Sequence, residues 1–155
     1  LLSYPSKATP ICKSLDLKIK KKFKKIDLIL FPAMGGIIIG YEIGKILKVE
    51  TIFSERVNGE FELRRGFSIP KKTNVLIIED VITTGKSSIE CAKLIEKANA
   101  NLLGYACIID RSNDKSHIKE KIVSQVKLNI PTYSKDNLPK ELLSIEAVKP
   151  GSRNL

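Results

Sequence analysis

Two adjacent carboxylates, Glu79 and Asp80, end the apolar run Val75-Leu76-Ile77-Ile78, and after Val81-Ile82 comes a cluster of small residues, Thr83, Thr84, Gly85, Ser87 and Ser88. Lys86 stands inside that cluster, so Gly85-Lys86-Ser87 reads like the end of a Walker A phosphate loop. Such a loop also needs glycine at the place of Asp80, because backbone amides wrap the phosphates there and a carboxylate would repel them. The residues suit a different ligand. Ionised carboxylates only accept hydrogen bonds, and a vicinal diol offers two donors. Hydroxyls and free amides at the positive end of a following helix suit a monophosphate. A diol and a phosphate on one small molecule describe a ribose 5-phosphate.

The elements that must position these groups alternate along the chain. Thr9-Pro10 reads as an N-cap followed by proline at the first helical position, opening a helix that runs to about residue 25. Residues 27–31, "DLILF", form a short apolar run of the kind found in buried parallel strands. Residues 35–47 read as a glycine-rich turn entering a helix with Ile39, Ile43 and Leu47 on one side. A strand over 50–55 leads to Asn58-Gly59, a strong hairpin-turn signal. A strand over 75–79, a helix over 87–98 and a strand over 102–110 complete the pattern. This alternation predicts a doubly wound α/β sheet, whose ligands gather at the carboxyl ends of the strands. That rule brings three loops together: Ala33-Met34-Gly35-Gly36, the acid and hydroxyl segment, and Asp110-Arg111. Glycines at a strand-helix turn also serve tight packing, and Arg111 could equally pair with Asp110 or Asp114 at the surface.

The segment of hydrophobics, Glu-Asp, two further residues, Thr-Thr-Gly and Ser resembles the phosphoribosyl pyrophosphate signature of type I phosphoribosyltransferases. Lys86 departs from it, since glycine is common there. "AMGGIIIGYEIG", "FSERVNGEFELRRGFSIP" and "VKPGSR" are similar to orotate phosphoribosyltransferases, particularly a bacterial branch with "LRRGF" in its mobile loop. The resemblance implies one phosphoribosyltransferase domain over residues 1–155, with a Rossmann-like parallel sheet flanked by helices and a mobile hairpin loop. It implies transfer of phosphoribosyl from phosphoribosyl pyrophosphate to orotate, giving orotidine 5'-phosphate. The implied phosphoribosyl pyrophosphate contacts are Glu79, Asp80, Thr83, Thr84, Gly85, Lys86, Ser87 and Ser88, with Ala33, Met34, Gly35 and Gly36 as the pyrophosphate loop. Arg111, with Thr83, is the implied orotate contact. Magnesium is implied as an ion bridging pyrophosphate and sugar hydroxyls, with Glu79 and Asp80 holding the diol or the metal's water shell. Asp80 and the loop arginines Arg56, Arg64 and Arg65 carry the implied catalytic role, the arginines taking the pyrophosphate charge where better-known members use lysine and histidine. A homodimer is implied too. The family has a further segment ahead of "LLSYPSKA" that forms a hood over orotate, so the chain from Leu1 is expected to keep phosphoribosyl pyrophosphate binding and lose part of the base site. The alternatives are a phosphoribosyltransferase for another purine or pyrimidine, and a non-catalytic phosphoribosyl pyrophosphate-binding regulator.

Composition fits an intracellular enzyme domain. The chain has 155 residues and is 43% hydrophobic, enough for one domain with a real core. No run approaches membrane-spanning length and the first residues lack a signal-peptide plan, so a cytoplasmic protein without membrane partners is expected. Cys12, Cys91 and Cys107 with a single histidine, His117, exclude a conventional zinc site and predict reduced, buried thiols. The net charge of +10 raises nucleic-acid binding. Much of that charge lies on Lys18, Lys20, Lys21, Lys22, Lys24 and Lys25, while Ile11, Leu15, Ile19 and Phe23 recur every four residues. The lysines are therefore expected on the solvated face of an amphipathic helix, with no nucleic-acid partner.

Overall fold

Apolar runs too short for helices become strands buried on both faces. A computed structural model describes residues 1–112, 116–146 and 148. These form a six-stranded sheet in the order β3-β2-β1-β4-β5-β6, with β1 at Leu28–Pro32, β2 at Glu50–Val57, β3 at Glu60–Leu63, β4 at Asn74–Ile82, β5 at Asn101–Asp110 and β6 at Ile122–Lys127. The neighbours β2, β1, β4, β5 and β6 pair in parallel, and β3 alone is antiparallel, folded back on β2 through Asn58-Gly59. Asn58 and Gly59 both have positive φ, as the tight hairpin turn demands.

Helices α1 (Pro5–Lys22) and α2 (Gly36–Leu47) cover one face of the sheet, and α3 (Lys86–Lys97) covers the other. Strand periodicity divides the core between them. Ile29, Phe31, Leu76 and Ile78 pack with Leu15, Ile19, Ile39 and Ile43 on the α1/α2 side. Leu28, Leu30, Val75 and Ile77 pack with Cys91 and Ile95 on the α3 side. A side chain at Gly40 would put its Cβ 2.0 Å from the Phe31 ring, so α2 can lie this close to β1 only without one. The doubly wound α/β architecture expected from the alternation is the one found.

Two local expectations are corrected. The first helix begins at Pro5, not at Pro10, with Tyr4 at its N-cap. Pro5 supplies the preset φ at the first position, and Thr9 uses its hydroxyl to reach Glu42 Oε1 at 2.9 Å instead of capping. Pro10 sits inside the helix, where the carbonyl it deprives of a donor belongs to exposed Ser6, so water can satisfy it. The helix ends at Lys22, with Phe23 at its C-cap. The second correction is β6, an edge strand absent from the sequence reading. Its half-buried and exposed residues give no continuous apolar run, and Lys18 of α1 secures it by donating to the carbonyls of Ser124 and Gln125 at 3.1 and 2.7 Å. Leu15, Ile19 and Phe23 are buried as expected, and the other lysines of the run are exposed, Lys20 reaching back to buried Asp16 at 2.7 Å. All three cysteines are buried and free. Asp114 and most of "VKPGSR" lie outside the described residues.

Candidate functional site

The strand order reverses at β1, because the chain passes from β1 to β2 on one side and later returns to β4 on the other. The loops that leave β1 and β4 run to helices on opposite faces, and this divergence opens a crevice at the carboxyl ends of the strands. A cavity of about 790 Å³ occupies it. Its walls include Ala33, Met34, Gly35, Glu79, Asp80, Thr83, Thr84, Gly85, Lys86, Ser87, Ser88 and Arg56. Gly36 is buried just behind, as the first residue of α2.

Each side chain is held by its element. Glu79 is only 7% exposed, and its Oε1 accepts a hydrogen bond from buried Ser88 Oγ at 3.1 Å. Ser88 therefore steadies an acid while it lines the wall. Asp80, the next residue of β4, is half-buried, and its Oδ1 accepts from the Val81 amide at 2.8 Å. Its Oδ2 faces the glycine loop, where a Cβ on Gly35 would lie 2.9 Å away. Only a residue without a side chain lets the two loops approach to this distance. The Ala33 amide donates to Ser54 O at 2.8 Å, tying the start of that loop to β2, and the Ala33–Met34 peptide bond is cis. Gly85 caps α3 with φ +76°, a conformation that L side chains rarely adopt. The Ile89 amide donates to Gly85 O at 2.9 Å as the helix begins. Thr84 Oγ1 accepts weakly from the Lys86 amide at 3.4 Å, and Thr83, Thr84 and Lys86 are exposed.

The three loop arginines part company. Arg56 lines the cavity, and its guanidinium lies 4.2 Å over the ring of its cross-strand partner Phe61. Arg64 and Arg65 do not line it. Both pair with Glu55, Arg64 at 3.5 Å and Arg65 through its Nε. Adjacent residues of a strand face opposite ways, so Glu55 draws these two cations to the face away from Arg56. Arg111 sits beside the end of β4, its amide donating to Ile82 O at 2.8 Å, but it is not part of the cavity wall. Its Nε is buried and meets no acceptor among the described residues. Asp110 does not pair with it: Asp110 Oδ1 accepts from the Ser112 amide at 2.9 Å.

Two wall residues and others packed behind the wall escaped the sequence reading. Gly59 and Phe61 belong to the hairpin and line the cavity, which would have followed from extending the strand over 50–55 by two residues. Ser116 and Ile118 close behind residues 83–88, the phosphate-type loop of the sequence, with Ser116 Oγ and Ile118 Cγ1 at 2.9 and 2.7 Å from where a Cβ on Gly85 would stand. Nothing in their sequence context marks them. His117 between them is exposed. Cys91 lies beneath the site with its Sγ 3.2 Å from Ser54 Oγ; burial pushes its thiol up to about 12, with Glu79 and Glu90 adding to the rise. Burial likewise lifts Cys107 to about 12 and Cys12 to about 11. These thiols are not nucleophiles at neutral pH.

Among the described residues, no group of three or more histidine, cysteine, aspartate or glutamate side chains could cage a metal ion. Two neighbouring carboxylates on a cavity wall do fit a magnesium ion, which keeps most of its oxygen ligands from water and substrate phosphates.

The chain resembles known proteins in the same regions. The family described as "Phosphoribosyl transferase domain" matches residues 10–137. An orotate phosphoribosyltransferase of Parvibaculum lavamentivorans is 45% identical over 152 residues, covering 97% of this chain and 78% of that protein. Among solved structures, an adenine phosphoribosyltransferase superposes with a TM-score of 0.71 at 22% identity, covering 80% of this chain and 82% of the other. The orotate phosphoribosyltransferase of Aeropyrum pernix gives 0.70 at 15%, covering 83% and 75%. At such identities the two structures speak for the fold alone, and their different bases show that the fold does not choose between them. The sequence relationship does choose, and on it the chain belongs to the orotate phosphoribosyltransferases, within the phosphoribosyl transferase domain family.

Proposed function

We propose that this chain is a pentosyltransferase that moves phosphoribosyl from 5-phosphoribosyl 1-pyrophosphate to orotate, giving orotidine 5'-phosphate and pyrophosphate in UMP biosynthesis. The observation that carries this is the meeting of two acids, a hydroxyl-rich helix start and a glycine loop on one cavity wall. A diol donates to Glu79 and Asp80, its 5'-phosphate rests against Thr83 to Ser88, and the pyrophosphate lies along Met34 to Gly36. A ring nitrogen of orotate forms the new bond to the anomeric carbon while the bond to pyrophosphate breaks and its electron pair leaves with that group. Positive charge builds on the ribose and negative charge on the leaving group, so a fixed cation at the pyrophosphate lowers the barrier. Arg56, the loop arginine on the cavity wall, takes that role ahead of Arg64 and Arg65. Arg111, whose amide ties it to Ile82 O at the end of β4 just before Thr83, supplies the planar guanidinium for an anionic base arriving from the β5 side.

Magnesium belongs to this proposal: Glu79 and Asp80 would hold its water shell or the diol, and the ion would neutralise pyrophosphate charge. So do a mobile hairpin that covers the site, a homodimer as the working form and a cytoplasmic location. Among the described residues no helix is long and apolar enough to cross a membrane.

Turnover of the purified protein with phosphoribosyl pyrophosphate, magnesium and each of orotate, adenine, guanine, xanthine and uracil tests the reading. Orotate alone should react. Preferred turnover of another base would replace the substrate, and tight phosphoribosyl pyrophosphate binding without turnover of any base would favour the regulator. Neither alternative is favoured by relatives 38–45% identical that carry the orotate enzyme's name.

A further inference from the structure

We propose that Glu90 is the positioning residue for Arg56. The inference rests on the transferase reading and deepens it, because it names the group that fixes the pyrophosphate-side cation. Glu90 lies in the second turn of α3 and does not line the cavity. Its Oε2 accepts from Arg56 Nη2 at 2.5 Å across two elements far apart in sequence. The ion pair is partly shielded, with the Glu90 side chain 23% exposed and that of Arg56 40% exposed. Arg56 Nη1 donates to Gly59 O within the hairpin, and Phe61 supports the guanidinium plane from below. Of the five N–H donors of an arginine, three stay uncommitted among the described residues and remain for an anion in the cavity.

The origin of the contact lies in strand periodicity. Ile52, Ser54 and Arg56 alternate onto the α3 face of β2, where Ser54 meets Cys91 and Arg56 meets Glu90. The helix whose first turn carries the phosphate-type loop thus also holds the cation of the hairpin. Phosphate and pyrophosphate sites keep a set distance through α3. Without Glu90, a long flexible side chain on a two-stranded ribbon would have to be ordered anew by each substrate.

The test uses five proteins: wild type, Glu90→Ala, Arg56→Gln, the double variant, and Glu90→Gln as a same-size companion. Wild-type turnover of orotate checks the transferase reading by itself. Glu90→Ala should lower kcat/KM for phosphoribosyl pyrophosphate roughly ten- to a hundredfold, mostly in kcat, with KM for orotate unchanged and the melting temperature held. Glu90→Gln keeps a neutral acceptor and should fall between. The double variant should be no worse than Arg56→Gln alone. Calorimetry of inorganic pyrophosphate on the same proteins reads the coupling without turnover, so an inactive wild type would overturn the reaction and still leave the pairing tested. Multiplicative losses in the double variant, or higher activity in Glu90→Ala, would overturn the positioning role; the second would mark Glu90 as a restraint on Arg56.

Discussion

Gly35→Ala should separate substrate binding from stability. Gly35 has φ −58° and ψ −40°, a right-handed helical conformation that alanine adopts without strain. At such a position the exchange stabilises a protein by about 0.4–1 kcal/mol, by restricting the unfolded chain. The added Cβ, however, would stand 2.9 Å from Asp80 Oδ2 and 3.1 Å from its Cγ and Oδ1. The carboxylate cannot turn away freely, because Oδ1 is held by the Val81 amide at 2.8 Å. Either Asp80 rotates off the ribose or the glycine loop moves out, and either motion removes a charge-assisted hydrogen bond to substrate. Such a bond contributes about 1.5–3 kcal/mol, which is roughly ten- to 150-fold in kcat/KM for phosphoribosyl pyrophosphate. The clash offsets the conformational gain, so the melting temperature should stay within about 4 °C of wild type. Steady-state kinetics with varied phosphoribosyl pyrophosphate and a thermal melt measure both effects. Gly85→Ala is the contrast, since φ +76° and an Ile118 carbon 2.7 Å from the new Cβ should cost stability and activity together. Unchanged kinetics in Gly35→Ala would refute the packing of the glycine loop on Asp80 as a condition of binding.

Asp80→Asn and Glu79→Gln should each reduce phosphoribosyl pyrophosphate use roughly tenfold or more with the fold intact, because a neutral amide loses a charge-assisted bond to the diol; unaltered kinetics in both would remove the acids from the site. Stability should fall at alkaline pH: the folded state holds Cys12 at about 11 and Cys91 and Cys107 at about 12, above their value of 9.0 when unperturbed. The stabilising contribution is complete below pH 9 and is lost as pH rises through the folded values, by up to about 1.4 kcal/mol per pH unit for each thiol. Denaturant melts between pH 8 and 11 check this, and a flat profile would contradict the burial of the thiols. In the native protein, the same cysteines should resist a soluble disulfide reagent at pH 8 and react on unfolding.

Those features were legible in the sequence whose cause is local. The runs at residues 27–31 and 75–79 are apolar on both faces because both faces are covered, and Asn58-Gly59 makes a tight turn because both residues tolerate positive φ. Glu79, Asp80 and the hydroxyl cluster share one wall because a strand end and a helix start adjoin in sequence. What depended on partners was hidden. Pro10 looks like a helix start until Pro5 is seen to take that place, and β6 is a strand only through its pairing with β5 and the grip of Lys18. The parting of Arg56 from Arg64 and Arg65 needs the register of β2 against β3 and the pull of Glu55, and Glu90 gives no sign on α3 of the cation it holds.

The sheet also lays out the proposed reaction in space. Along the carboxyl edge the order is Arg56 on β2, the glycine loop after β1, the acids and phosphate-type loop after β4, and Arg111 after β5. An in-line displacement needs the entering nitrogen and the leaving oxygen on opposite sides of the reacting carbon. With the ribose diol on Glu79 and Asp80 as proposed, the anomeric carbon would lie over the end of β4. The proposed cation for the leaving group, Arg56, would then stand on the β1–β2 side and the proposed anchor for an anionic base, Arg111, on the β5 side. The parallel pairing of β2, β1, β4 and β5 brings their carboxyl ends to one edge, where the β1–α2 and β4–α3 loops stand between the β2–β3 hairpin and the end of β5. A single mobile loop could carry all the charges, but it would hold them on one side of the sugar. Spread over four strands, the proposed groups would set which bond can break and which can form.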